Sequence, residues 1–138
     1  MPIHKIWISA GADYNIRTWK FNNFDDNAKI KPDKFMLAHL KIITAIEELN
    51  SPRLIASGSL DGKIKLWDLT DPAIPPILLT ELRDPNQDTR GILGLSYSCH
   101  YGSNLLSYGF EMHINVWCPE VSITRAFIGK LEGHSSLV

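Results

Sequence analysis

One pattern of four residue positions occurs three times along this 138-residue chain. Each copy has a serine ten residues before a tryptophan, an acidic residue six before it and an isoleucine three before it. The copies are ISAGADYNIRTW (8–19), ASGSLDGKIKLW (56–67) and LSYGFEMHINVW (106–117), and their tryptophans are 48 and 50 residues apart. A period of this length is typical of proteins that stack one supersecondary unit several times. The sequence therefore predicts a repeat protein.

Each copy has the composition of a β-hairpin. In the second copy an apolar segment is followed by Asp61-Gly62, and Gly tolerates the positive φ that a tight hairpin turn needs. After that turn, Lys63 and Lys65 alternate with Ile64 and Leu66, which is the period of a half-buried strand. The predicted hairpins span residues 6–21, 53–69 and 104–118.

Further strand candidates lie between the hairpins, and no segment has a convincing helical period. Two candidates precede a hairpin and three follow one, which gives a unit of four strands in roughly 50 residues. The fold class expected is therefore all-β. These candidates are residues 39–49 and 89–98 before a hairpin, and 34–40, 76–83 and 126–134 after one, with a last unit beginning at 133.

The Trp67-Asp68 pair that ends the second hairpin and the Gly133-His134 pair that closes the third unit carry a family likeness. The chain resembles the WD40-repeat family of β-propellers. The resemblance implies about three four-stranded blades across residues 1–138. Because closed propellers have roughly four to eight blades, we expect these blades to be part of a larger propeller. In the alternative, a second copy of the chain completes the ring.

The resemblance also implies that a hydrogen-bond relay of His, Ser, Asp and Trp side chains holds each unit together. In the second unit the Trp67 indole would donate to Ser57, the Ser57 hydroxyl to His39, and the other ring nitrogen of His39 to Asp61. The other units match this relay only in part. The matching residues are Ser9, Asp13 and Trp19 in the first unit, Ser107, Glu111 and Trp117 in the third, where Asp88 takes the histidine position, and His134 in the last.

His39, Ser57 and Asp61 have the residue types of a nucleophilic triad as well. The serine and the acidic residue recur in every repeat, however, as a building element would, and nothing implies a cleft or oxyanion donors around them. The structural interpretation is therefore favoured. We expect no catalytic residues in this chain and no enzyme activity.

Composition restricts the classes of partner. A net charge of −1 without a Lys/Arg cluster argues against nucleic acid, and the longest apolar runs are far shorter than the roughly 20 residues of a membrane span. Cys99 and Cys118 make no disulfide framework, which predicts a reducing, cytoplasmic environment. Together with His100 and His113 they do not have zinc-site spacing. We expect other proteins as partners, with no metal and no cofactor.

In the resembled family, partners often dock on the propeller face that carries the turn between the second and third strands of each blade. By position these turns hold Tyr14, Phe110 and Met112 here. Because turns usually favour polar residues, large apolar side chains at 110 and 112 indicate an anchor for a partner protein. The alternative is that Phe110 packs on a neighbouring blade.

The segment VWCPEVSITRAFIGKLEGHSSLV carries a weaker likeness. It is similar to a Trp-Asn-Pro … Leu-x-Gly-His pattern in WD-repeat proteins of cilia and flagella, with Cys118 in place of the Asn. The function expected is a non-catalytic protein-interaction scaffold, with a ciliary or axonemal structural role as its narrower form. The alternatives are a self-assembling propeller module and the propeller portion of an enzyme whose catalytic domain lies outside this chain.

Overall fold

The second repeat shows how these residues build a hairpin. Its two strands pair in register from Leu54 opposite Asp68 to Gly58 opposite Ile64. Between them Gly62 has a φ of 81°, in the left-handed region that glycine adopts without steric cost. The Lys63 amide donates to the Asp61 carboxylate at 2.9 Å, which closes the turn.

The computed structural model of the chain describes residues 6–20, 31–50, 53–84, 90–100, 102–120 and 125–138. Strands are the only regular secondary structure in these ranges. The described residues therefore contain no helix that could cross a membrane. The strands are β1 (Ile6–Ala10), β2 (Asn15–Lys20), β3 (Lys34–Leu37), β4 (Ile43–Glu48), β5 (Leu54–Ser59), β6 (Ile64–Asp68), β7 (Ile77–Leu82), β8 (Ile92–Ser98), β9 (Asn104–Gly109), β10 (His113–Trp117) and β11 (Phe127–Glu132).

The strands form three antiparallel sheets, in which each strand pairs with its neighbours in the chain. Sheet one contains β1–β3, sheet two β4–β7 and sheet three β8–β11. The prediction of an all-β fold made of WD40-type blades is confirmed. The predicted hairpins correspond to β1–β2, β5–β6 and β9–β10, and no strand begins among residues 133–138.

Apolar side chains between neighbouring sheets form two cores. The first joins Ile16 of sheet one to Ile43, Ile55 and Trp67 of sheet two. The second joins sheets two and three, and β4 lies close to β1 on one side and β8 on the other. Sheet two is therefore covered on both faces. The second core contains Ala56, Ile64, Leu66 and Leu82 of sheet two, and Ile92, Leu95, Leu105 and Trp117 of sheet three.

Sheets two and three approach each other closely at Gly58. A Cβ at this position would lie 2.8 Å from Cγ2 of Ile92 and 3.3 Å from Cγ of Leu95. Such separations are below ordinary van der Waals contact, so the missing side chain of Gly58 lets the two sheets pack directly.

Candidate functional site

The relay predicted for the second repeat is assembled at the junction of sheets one and two. The indole Nε1–H of Trp67 donates to Oγ of Ser57 at 2.8 Å. Because an indole can only donate, the Ser57 hydroxyl is left to donate to Nε2 of His39 at 2.7 Å. The Nδ1–H of His39 then donates to Oδ2 of Asp61 at 2.9 Å. Each of these polar groups has a partner, as a buried network requires.

The charges of the relay follow from burial and hydrogen bonding. Burial lowers the pKa of His39, although the Asp61 carboxylate works against this shift. Burial acts to raise the pKa of Asp61, but hydrogen bonds from the Leu40 amide, the His39 ring and the Lys63 amide together hold it below its ordinary value. A neutral His39 beside an ionised Asp61 is the state that the geometry favours.

The same geometry bears on the catalytic interpretation of these three residues. Ser57 is 0% exposed, and its oxygen accepts the Trp67 N–H while its proton is held by His39. A nucleophile must be able to reach a substrate, and this hydroxyl is enclosed between two sheets. The arrangement can therefore position and stabilise strands, and it offers no reacting atom to a ligand.

His39 connects one sheet to the next. It lies two residues after β3, the last strand of sheet one, while Ser57, Asp61 and Trp67 belong to the β5–β6 hairpin of sheet two. The carbonyl of Tyr14, in the β1–β2 turn, accepts hydrogen bonds from the amides of Ala38 at 2.9 Å and His39 at 3.3 Å. Tyr14 has a φ of 67°, which is unfavourable for a residue other than glycine. The turn of sheet one thus holds the loop that supplies the relay histidine.

The first and third repeats keep the Trp–Ser hydrogen bond, at 2.9 Å in both cases. The residues at the Asp61 position bind elsewhere. Asp13 pairs with Arg17, whose side chain is the main cause that lowers the Asp13 pKa to about 2. Oε2 of Glu111 lies 2.5 Å from Nε2 of His113, but the two atoms are not aligned for a hydrogen bond.

Asp88 and His134 are the remaining residues that the sequence placed in the relay. Asp88, predicted to stand where the third repeat needs a histidine, lies outside the described residues. His134 is exposed, and among the described residues no hydrogen-bond partner faces it. Within the described chain, the four-residue relay is therefore complete only in the second repeat, where the buried serine, histidine and acid all meet.

Tyr14, Phe110 and Met112 lie on two turns of the structure, Tyr14 between β1 and β2 and the other two between β9 and β10. We refer to these three residues as the turn patch. They are 40%, 41% and 54% exposed, respectively. Phe110 also packs inward, because a Cβ at Gly91 would lie 3.1 Å from its ring. Phe110 thus both contacts its own sheet and presents part of its ring to solvent.

A position two residues before each tryptophan was not singled out from the sequence, although it differs between repeats. Lys65 occupies it in sheet two, where Nζ donates to the Ala38 carbonyl at 2.7 Å and so crosses to sheet one. Asn115 occupies it in sheet three, and its buried Oδ1 has no hydrogen-bond partner. A cavity of about 390 Å³ lies beside Asn115. The replacement of the long Lys side chain at 65 by the short Asn side chain at 115 could have indicated this difference from the sequence.

Metal-ligating residues do not gather in the described part of the chain, where no group of three or more His, Cys, Asp or Glu side chains could hold an ion. Cys99 is exposed, and Cys118 is buried with Sγ 3.6 Å from the Gly102 carbonyl oxygen. The two cysteines and the nearby histidines thus give no sign of a common site in this region.

Two comparisons with known proteins bear on this architecture. The family model for "WD domain, G-beta repeat" matches residues 31–68, which run from β3 through β6. The match therefore takes the last strand of sheet one together with three strands of sheet two, the same segment that carries the complete relay. The chain is also 30% identical over 134 residues to Cilia- and flagella-associated protein 337 B of Tetrahymena thermophila. The alignment covers 97% of this chain and 10% of that relative, so the chain spans about a tenth of its length.

Proposed function

Because this chain is built from WD40-type repeats, we propose that it is a non-catalytic scaffold that binds other proteins and serves a structure of cilia or flagella. The binding surface is the turn patch of Tyr14, Phe110 and Met112. The relay has a structural role, which is to hold the β5–β6 hairpin to the loop that enters sheet two. No nucleic acid, membrane or cofactor is part of this proposal.

The observation that carries the proposal is the different exposure of the two candidate groups. The triad-like side chains lie in the interior, where they form hydrogen bonds with one another and with Trp67; they are His39, Ser57 and Asp61. Phe110 and Met112, in contrast, present apolar surface at a turn. Aromatic side chains lose little conformational entropy on binding, and both aromatic and Met residues are enriched in protein interfaces.

The ciliary part of the proposal rests on the relative from Tetrahymena thermophila, whose name associates it with cilia and flagella. The alignment runs along nearly the whole of this chain, so it includes all three sheets. Since the relative is about ten times longer, the present residues would supply blades to a larger assembly. A location on the cytoplasmic side, within the axoneme, agrees with the low cysteine content.

A capture experiment with matched variants tests the turn patch. The full chain, the double variant Phe110→Ser/Met112→Ser and the control variant Ile77→Ser/Leu78→Ser are immobilised and exposed to an axonemal extract. Ile77 and Leu78 are also exposed, but they lie on β7, away from the turns. We expect the turn variant alone to lose specific partners, with circular dichroism spectra unchanged. Equal retention by all three proteins would contradict the proposed surface.

A further inference from the structure

The cavity beside Asn115 lies at the junction between sheets two and three. Its volume is about 390 Å³, within the range of roughly 300–1,000 Å³ that ligand pockets have in proteins. At its rim, the side chains of Lys63 and Arg83 are 43% and 83% exposed, respectively. The residues at its base are apolar and almost fully buried: Ile64, Leu82, Ile92 and Trp117. The cavity therefore combines a buried apolar base with a rim that solvent reaches. We call this cavity, with Asn115 and its apolar base, the junction pocket.

The side-chain carbonyl of Asn115 is an acceptor without a donor in this pocket. Asn115 is 5% exposed, and no donor among the described residues reaches its Oδ1. Such a group is unfavourable in the folded state, because it loses its water without gaining another donor. The large majority of buried side-chain polar atoms in folded proteins do have a partner. Oδ1 of Asn115 therefore marks the point in the pocket where an N–H or O–H group can be received.

Sheet two shows how the equivalent space is filled by the chain itself. Lys65 has the position of Asn115, two residues before the tryptophan. Its side chain lies over the Trp67 ring, with Nζ 5.9 Å from the ring centroid, and donates to the carbonyl of Ala38, just after β3. The shorter Asn115 side chain cannot extend as far, and Trp117 lines an open cavity instead. The junction pocket is thus specific to the third repeat and is not a general feature of the repeated pattern.

The charged groups at the rim restrict the class of ligand. Three cations lie within 3.7 Å of the single carboxylate of Glu81, and they are Lys63, Lys65 and Arg83. The carboxylate of Asp84 already has Nζ of Lys130 at 3.0 Å. Because positive charge is in excess around Glu81, a cationic ligand is disfavoured by repulsion. A carboxylate or phosphate, in turn, has no proton to donate to Asn115. The donor that the pocket receives therefore belongs to a neutral group.

We propose that the junction pocket binds an aromatic side chain of a partner protein that carries one neutral donor, the hydroxyl of a tyrosine or the indole N–H of a tryptophan. The ring packs against Trp117 and the aliphatic base, and the donor binds Oδ1 of Asn115. Aromatic pairs are stabilised beyond the apolar area that they bury, and tyrosine and tryptophan join a large apolar body to a single donor. Both are also enriched in protein interfaces. The junction pocket shares no residue with the turn patch, so this proposal goes beyond the proposed function and can fail independently of it.

A pair of small probes tests the donor. One is p-cresol, the side-chain analogue of tyrosine, and its matched control is p-methylanisole, in which a methyl group replaces the hydroxyl proton. Both are titrated into the full isotope-labelled chain, and the readout is the NMR shift of the Asn115 side-chain amide and of the Trp117 indole N–H. We expect p-cresol to bind about three- to tenfold more tightly than p-methylanisole, which is the effect of one hydrogen bond.

Two variants at position 115 assign the binding to the pocket. Asn115→Leu removes the acceptor at similar size, so p-cresol should lose its preference over p-methylanisole. This variant should fold, because it removes an unpartnered buried polar group. Asn115→Lys introduces the side chain that sheet two has at this position, and it should fill the pocket and abolish binding of both probes. Thr70→Ala is the control, since Thr70 is exposed and lies outside the strands, and it should bind both probes like the unmodified chain.

A third probe, N-acetyl-tyrosine amide, tests whether the ring can enter as part of a polypeptide, because it carries a peptide group on each side of the residue. It should shift the same two signals. Shifts with p-cresol but not with this amide overturn a partner protein as the source of the ring. The absence of shifts in the unmodified chain overturns the proposal, as does equal binding of p-cresol and p-methylanisole or a preference that survives in Asn115→Leu. Capture of axonemal proteins by the turn patch is measured separately and decides only the proposed function.

Discussion

Replacing the relay serine by alanine offers a quantitative test of how sheet two is stabilised. In Ser57→Ala the Trp67 indole loses its acceptor and Nε2 of His39 loses its donor, from bonds of 2.8 and 2.7 Å. Both partners are almost wholly buried, so water cannot easily replace the hydroxyl. Each unsatisfied buried group costs about 1–3 kcal/mol. We therefore expect the free energy of unfolding to fall by about 2–6 kcal/mol.

Ser9→Ala is a matched control for this loss. It removes the same kind of bond, from Trp19 at 2.9 Å, but the serine is exposed and water can replace it. The expected cost is at most about 1 kcal/mol. The free energies of unfolding are measured from urea titrations of tryptophan fluorescence and far-ultraviolet circular dichroism, at concentrations where the chain is monomeric. Equal losses for the two variants, or a loss below about 0.5 kcal/mol for Ser57→Ala, would refute burial as the origin of the effect.

Two further predictions concern the pH dependence of stability and the packing of the sheets. Because burial lowers the pKa of His39 in the folded chain, stability is greatest above its ordinary pKa of 6.5 and should fall as pH decreases below it. Urea midpoints at about pH 5.5 and 7.5 should differ less for His39→Gln than for the unmodified chain, and identical differences would contradict this. Gly58→Ala should destabilise by about 1–3 kcal/mol, because its Cβ would meet Ile92. Thermal denaturation tests this, with Gly129→Ala, where space is open, as the control.

Local hydrogen bonding explains why much of sheet two could be predicted from its residues. Ser57 and Trp67 are ten residues apart on one hairpin, so the antiparallel register alone brings them together. The same spacing recurs in the other copies, and their Trp–Ser bonds also form. Gly62 takes the positive φ that an Asp-Gly turn requires. Features that depend on contacts within one hairpin are encoded within a dozen residues.

Side-chain contacts between sheets could not be predicted from the spacing of the repeat. Glu111 stands at the Asp61 position, yet it lies against His113 on its own hairpin. Asn115 stands at the Lys65 position, but it is too short to reach across as Lys65 does, and its Oδ1 is left without a partner. Side-chain length and the neighbouring loop decide such pairings, and neither follows from the spacing of the repeat.

The all-β class and the hairpins follow from the sequence, because both depend on alternation and on short, regular spacing. The membership of the relay in the second repeat came from the resemblance to the WD40 family. Which faces of the sheets are covered depends on how the sheets stack. His39 is buried because sheet one lies over sheet two, whereas His134, with the same offset from its strand, is exposed. Burial depends on the stacking of whole sheets, which joins residues far apart in the chain. The same offset from a strand therefore places His39 in a closed relay and leaves His134 exposed in the described structure.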